Sequence, residues 1–268
     1  MVVCILRRIR FLLVCCDHQR AFWIDLDGYR NDYYRVEERI QEAMPREVFI
    51  VGGGPSLTGF NFHLLDGKDV IAINQSIFRL PSAQWFCTMD FTWRLRLNER
   101  GQEENLRHFI AHRAHKIFVV GFAEPRLKII SDQVIEDTEK NLQYKLHEFN
   151  QVVFYSRYGG ISSSWTDFRV GSESGFAGLQ LAILLGYTRI YLLGYDFCIS
   201  PYQTHFHHDY PPRDPVEFKQ KLDRYYKPYP GALSELLRRG TEVYSCSPIS
   251  RLNKHLLYVD PEALIQRS

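Results

Sequence analysis

Residues 202–212 read YQTHFHHDYPP, which places His205, His207, His208 and Asp209 within five positions. A neutral imidazole titrates near neutrality and can take a proton from a hydroxyl as a new bond forms. His and Asp are also ordinary metal ligands, but no HExxH motif or partner cysteine set accompanies them. A polar loop bounded by prolines, with incidental histidines, is the third option. The segment follows the apolar run RIYLLGYDF (189–197), and a place beyond a strand's carboxyl end favours catalysis. His205 is the first candidate for a general base and His207 the second.

The second chemical feature is EVFIVGGGPSL at 47–57. An apolar run enters three glycines, a proline and a serine. Glycine lets a ligand approach the backbone closely, Pro55 suits the first position of a helical turn, and free N–H groups there attract phosphate. Gly52, Gly53, Gly54 and Ser56 are therefore expected at a phosphate. The run is not a P-loop, because no Gly-Lys-Ser/Thr follows, and Pro55 breaks the dinucleotide fingerprint. A tight turn without a ligand is the alternative. The next apolar run ends in Asn74-Gln75, whose amides both donate and accept and suit a ribose, a base edge or a phosphate. Asp90 ends the run QWFCTMD; it either contacts substrate or caps the following helix. Ser172, Ser174 and Gly175 open the segment SESGFAGLQLAILLGY, a second helix start able to hold phosphate or ribose. Asp196 either orients a substrate or caps a chain turn. The Asp-x-Asp at 25–27 lies before the first core run and is discounted, so no metal site is assigned.

These residues need a scaffold that brings strand ends together. Apolar runs at 47–52, 69–74, 84–90, 116–121, 189–197 and 241–248 are expected as strands, with 152–156 as an edge strand. Helical patterns fall at 33–44, 91–101, 172–187, 214–227 and 231–240. Strands alternating with helices predict an α/β, Rossmann-like fold: a mostly parallel sheet with helices on both faces. Ligands of such sheets bind beyond the strands' carboxyl ends. A Rossmann-like domain is expected over 45–268, preceded by an extension over 1–44. Its apolar start is broken by Arg7, Arg8 and Arg10 and is too short and charged to span a bilayer; a peripheral strand or helix is expected, with an interfacial anchor or a tail as alternatives.

The 268 residues are 45% apolar and 24% charged with formal net charge +2, which gives no basic surface for nucleic acid. The six cysteines form no C-x-x-C pair or framework and are expected as reduced thiols in a cytoplasmic protein. Cys87, Cys198 and Cys246 lie in apolar runs and are expected as small buried hydrophobes.

In order, VFIVGGGPSL, AINQSI, WFCTMD, GSESGFAGLQLAILLGYTRIYLLGYDF, THFHHDYPP and YSCSP resemble the MptE-like family, named for archaeal 6-hydroxymethylpterin diphosphokinase, and compact members of it carried by phages and prophages. The same order is similar to bacterial CMP-sialic-acid sialyltransferases and motility-associated flagellin glycosyltransferases. The resemblance covers residues 46–262 and is most specific over 171–197. It implies a transferase with a nucleotide-activated donor and a hydroxyl acceptor. Gly53, Gly54 and Ser56 would lie by phosphate or ribose, with Asn74, Gln75, Ser174 and Gly175 at the nucleotide. The sialyltransferases' downstream general base matches the 205–208 cluster only loosely. Asp90 stands where they carry Asn, which turns the resemblance toward the MptE-like branch. Glycosyl transfer and diphosphoryl transfer both fit; Mg²⁺ is expected only if the donor is ATP. A nucleotide-binding accessory or assembly protein without catalysis is the rival from another class.

Overall fold

The computed structural model describes residues 12–14, 21–23, 46–121, 127–131, 134–137, 142–198, 205–206 and 214–266. Near the start of the chain, β1 (Leu12–Val14) and β2 (Ala21–Trp23) pair antiparallel. The expected helix over 33–44 lies outside the described residues.

The core is built from β3 (Glu47–Val51), β4 (Val70–Ile73), β5 (Trp85–Thr88) and β6 (His115–Gly121). A three-stranded antiparallel meander follows: β7 (Leu127–Ser131), β8 (Val134–Asp137) and β9 (Leu142–Lys145). Then come β10 (Gln151–Tyr155) and the short parallel pair β11 (Arg157–Tyr158) and β12 (Arg169–Val170). Last are β13 (Arg189–Leu193), β14 (Glu242–Ser245) and β15 (Leu257–Tyr258).

Eight of these strands form one sheet in the order β10-β6-β5-β4-β3-β13-β14-β15, and every neighbouring pair is parallel. The fold is α/β and Rossmann-like. The chain builds outward on one side from β3, then returns to β13 and builds on the other, so the order reverses between β3 and β13. Alternate residues of each central strand enter different cores. Val48, Ile50, Ile71, Ile73, Ile190 and Leu192 pack on one face, and Phe49, Val51, Val70, Ala72, Tyr191 and Leu193 on the other. Burial on both faces explains why these strands are unbroken apolar runs instead of alternating ones.

The Ser174–Leu184 helix buries ten of its eleven residues against the first core. Gly178 lets it lie close to the sheet, since a Cβ there would stand 2.6 Å from Ile73 Cδ1. Aromatic rings of Phe86, Trp93, Phe109 and Phe149 fill the second core. Three local expectations change. The segment after Pro55 is a single 3-10 turn, Pro55–Leu57, and Asn74 opens a 3-10 turn, Asn74–Arg79. The helix expected over 91–101 stops at Arg96, and a separate helix, Glu103–Ala111, follows. As expected, β10 is an edge strand. Cys87 and Cys246 are buried, and burial raises both thiols, Cys246 to about 12.

Candidate functional site

The three glycines meet the second half of the sheet. Gly52 N–H donates to Leu193 O (2.8 Å) and Gly54 N–H to Gly194 O (2.9 Å). Ser56 donates twice to the buried Asp196 carboxylate, from its N–H (2.7 Å) and its hydroxyl (2.6 Å). A Cβ on Gly54 would stand 2.5 Å from Asp196 Oδ2 and 2.6 Å from Gly194 O, and one on Gly52 would stand 2.9 Å from Gly194 O. Gly52 and Gly54 are therefore required by the seam between the ends of β3 and β13. The anion received by Ser56 is the protein's own carboxylate. Gly52, Gly54 and Ser56, expected at a phosphate, thus have protein partners here. Among the described residues, Gly53 keeps an N–H without a protein partner. Its carbonyl accepts from Phe206 N–H (3.2 Å), and its missing Cβ makes room for the His205 ring, which would lie 3.3 Å away.

A cavity of about 300 Å³ opens at this point, beyond the carboxyl ends of β3, β4, β5 and β13. Its wall includes Gly52, Gly53, Gly54, Asn74, Gln75, Asp90, Ser174, Gly175, Asp196 and His205. Ser56 stands behind the wall, joined to Asp196. His207 lies outside the described residues, as do His208 and Asp209.

Several polar wall residues are held by neighbours. Asn74 takes a left-handed backbone (φ 52°), which Asn tolerates better than most residues. Its Oδ1 accepts from the Thr88 hydroxyl (2.7 Å), so its amide –NH₂ remains for the cavity. Thr88 Oγ1 in turn accepts from Asp90 N–H (3.0 Å). Gln75 is 8% exposed and its Oε1 accepts from the Trp93 indole N–H (2.8 Å). Asp90 caps the Phe91–Arg96 helix through Trp93 N–H (3.0 Å), so its capping role is real alongside its place on the wall. Ser174 Oγ accepts from Met89 N–H (3.0 Å), which ties the helix start to the end of β5.

Four polar residues on this wall were not singled out from the sequence: Glu173, Tyr195, Lys221 and Tyr225. Glu173 caps the Ser174–Leu184 helix. It accepts from Gly175 N–H, from Phe176 N–H (2.7 Å) and from the Tyr229 hydroxyl (2.5 Å). Burial pushes its carboxyl above the usual range, although all three donors pull the other way. Tyr195 donates to Gly175 O (2.9 Å), and burial raises the Tyr195 and Tyr229 hydroxyls well above their usual value. Glu is not a favoured cap, so an acid set before a mostly apolar helix was the available signal. Lys221 and Tyr225 come from the Pro215–Tyr226 helix, the Lys221 ammonium lying 5.5 Å from the Tyr225 ring centroid. The amphipathic pattern there showed a helix but not which end of the sheet it would cover.

No protein-family model and no curated protein sequence matches the chain. A solved structure similar to it is that of the sialyltransferase CstII from Campylobacter jejuni in complex with a substrate analogue, cytidine-5'-monophosphate. Identity is 18%, the match covers 82% of this chain and 87% of that chain, and the TM-score is 0.45. At that depth the likeness says nothing about the reaction of this chain.

The geometry itself defines what the cavity can do. It offers the Lys221 ammonium, the His205 imidazole, the Gly53 N–H, the Asn74 and Gln75 amides and hydroxyl-bearing side chains, beside the carboxyls of Asp90, Glu173 and Asp196. Both Asp196 oxygens accept from Ser56, and one Asp90 oxygen caps a helix. Among the described residues, no group of three His, Cys, Asp or Glu is placed to share a metal ion. No helix there is long and apolar enough to cross a membrane.

Proposed function

We propose that the chain is a transferase that binds a nucleotide-activated donor in this cavity and passes the activated group to a hydroxyl. One observation carries the proposal: the cavity sits where strand order reverses between β3 and β13, with Gly53, Asn74, Ser174, His205 and Lys221 converging on it. Open α/β sheets bind nucleotides at this switch point. Lys221 and the Gly53 N–H face the donor's phosphate. The Asn74 amide meets the nucleoside. His205 takes the acceptor's proton as the acceptor oxygen bonds to the donor carbon. The bond from that carbon to the phosphate oxygen breaks, and the nucleotide leaves with the electron pair.

The wall favours glycosyl over diphosphoryl transfer. Diphosphoryl transfer from ATP wants Mg²⁺ to offset phosphate charge, and the residues present do not fit such a site. Among the described residues, both Asp196 oxygens are engaged by Ser56 and one Asp90 oxygen by a helix terminus, so no carboxylate pair there stands free. A nucleotide sugar brings less charge into a wall that already holds three carboxyls.

Thermal shifts with CMP, UDP, GDP and ATP, with and without Mg²⁺, test binding. A ligand at 100 times its Kd should add about 2.7 kcal/mol of stability. The expected outcome is a metal-independent shift with one nucleotide. His205→Ala should keep that shift and lose about 10²–10⁴-fold in transfer to hydroxyl acceptors. Binding without any turnover by the unaltered protein would leave a nucleotide-binding accessory protein instead. Absence of any shift would remove the proposal.

A further inference from the structure

We infer that Arg251, which is not part of the cavity wall, is a positioning residue for it: the guanidinium fastens the Pro215–Tyr226 helix to the end of β13 and so sets where Lys221 stands. The inference rests on the transferase reading above, in which Lys221 faces the donor's phosphate. The helix meets the cavity with one face, because Phe218, Lys221, Leu222 and Tyr225 all line it at helical spacing. Asp223 and Tyr226 lie on the adjoining flank, and that flank meets Arg251. The Arg251 N–H donates to Asp196 O (2.9 Å), which fixes the Arg251–Lys254 turn at the end of β13. The guanidinium donates to Asp223 Oδ1 (2.5 Å) and to Phe197 O (3.4 Å), and its carbon lies 4.2 Å from the Tyr226 ring centroid. The Tyr226 hydroxyl shares a hydrogen bond with Nε2 of His255, the residue that closes the same turn (2.7 Å).

One side chain thus grips a strand end and a helix together. The strand end is an unusual one: Phe197, on the cavity wall, has a left-handed backbone (φ 52°), which is rare for a bulky residue. Such a conformation persists only where its surroundings over-determine it. Here Arg251 holds the Phe197 carbonyl, and the Phe197 ring packs on Tyr226 and Tyr229, centroids 6.0 and 4.9 Å away. The Arg251–Asp223 ion pair alone would contribute little, because its side chains are 33% and 51% exposed. The planar guanidinium adds the ring face and the second acceptor, a combination that a lysine ammonium does not match. Asp223 also offsets the charge of Arg251, so Arg251 acts on the cavity by geometry and not by drawing in phosphate itself. Lys221 is two residues from Asp223, and the helix cannot shift at the grip without moving it.

Titration calorimetry on the full chain tests this, first with CMP, UDP and ATP in turn and then with whichever binds tightest. Arg251→Ala should raise its Kd by about tenfold. Asp223→Asn, an exposed change, should raise it by about two- to fivefold. Direct attraction between Arg251 and the phosphate would instead make Asp223→Asn bind tighter, since a negative charge is removed. In a Lys221→Ala background, Arg251→Ala should add less than about twofold, because the residue it positions is gone. A merely structural role would add its full loss there. Melting temperatures without nucleotide show which variants fold, and if Arg251→Ala does not, the same cycle is run with Asp223→Asn. Unchanged or tighter binding by Asp223→Asn, or a loss that persists in full without Lys221, overturns the inference and leaves the transferase reading standing. Failure of the unaltered protein to bind any of the three nucleotides removes that reading, and the inference with it.

Discussion

Replacing Gly54 and Gly53 by Ala in turn separates two reasons for a glycine-rich turn. In Gly54→Ala the new Cβ would stand 2.5 Å from Asp196 Oδ2 and 2.6 Å from the Gly194 carbonyl oxygen. The second partner is backbone and cannot rotate away. Overpacking of this kind costs about 1–3 kcal/mol. Moving Asp196 also weakens two hydrogen bonds from Ser56 to a charged acceptor, worth about 1.5–3 kcal/mol each. The effects overlap, so a combined loss of roughly 3–5 kcal/mol is expected. At about 2–4 °C per kcal/mol for a chain of this size, the melting temperature should fall by roughly 6–20 °C. In Gly53→Ala the one atom within reach among the described residues is His205 Cδ2, at 3.3 Å, so stability should change by less than about 1 kcal/mol while transfer activity falls as the imidazole is pushed aside. Urea unfolding of both variants, read by tryptophan fluorescence, gives the two stabilities. A Gly54→Ala protein as stable as the parent, weakened only in nucleotide binding, would refute the seam and restore the phosphate cradle.

Further outcomes follow from other contacts. Arg94 and Glu148 form an ion pair with side chains 8% and 7% exposed; Arg94→Ala should cost about 3–5 kcal/mol in chemical denaturation, and a paired apolar replacement should recover most of it. Ser56→Ala removes the hydroxyl bonded to Asp196 and should lower stability by about 1.5–3 kcal/mol, measured the same way. Glu173 has a folded-state pKa raised above the ordinary 4.5, so its contribution is fullest below that pH and is lost as pH rises through the folded value. Relative to Glu173→Gln, the parent should therefore lose stability from about pH 4.5 upward in denaturation curves taken at several pH values; a gap that stays constant with pH would contradict the raised pKa.

Much of the fold was legible because its signals are local. The central strands lie between two cores, so they stand out as apolar runs ending in Gly, Asn or Asp. The Ser174–Leu184 helix is buried nearly all round, so apolar and small residues fill it without a polar face. The Glu103–Ala111 helix was missed because its sequence, EENLRHFIA, buries little beyond Phe109. The strands β11, β12 and β15 are two residues long and depend on pairing with distant partners. Candidate residues at strand ends were legible because the topology gathers those ends at one rim. The purpose of Gly52 and Gly54 was not. Glycine signals close approach without saying by what, and here the approaching group, Gly194 to Asp196, is 140 residues away in sequence, as the Ser56–Asp196 bond shows. Lys221 and Glu173 were obscure for a related reason: one sits on a helix whose docking depends on the whole sheet, and the other on a cap position that usually carries Ser, Thr, Asp or Asn.

The most direct test of the central claim is amide chemical-shift mapping of the full chain titrated with CMP, UDP and ATP in turn. Saturable shifts from one nucleotide should concentrate at Gly53, Asn74, Ser174 and the Lys221 segment, on the reversal between β3 and β13. Shifts absent for all three, or confined to surfaces away from that reversal, would contradict it.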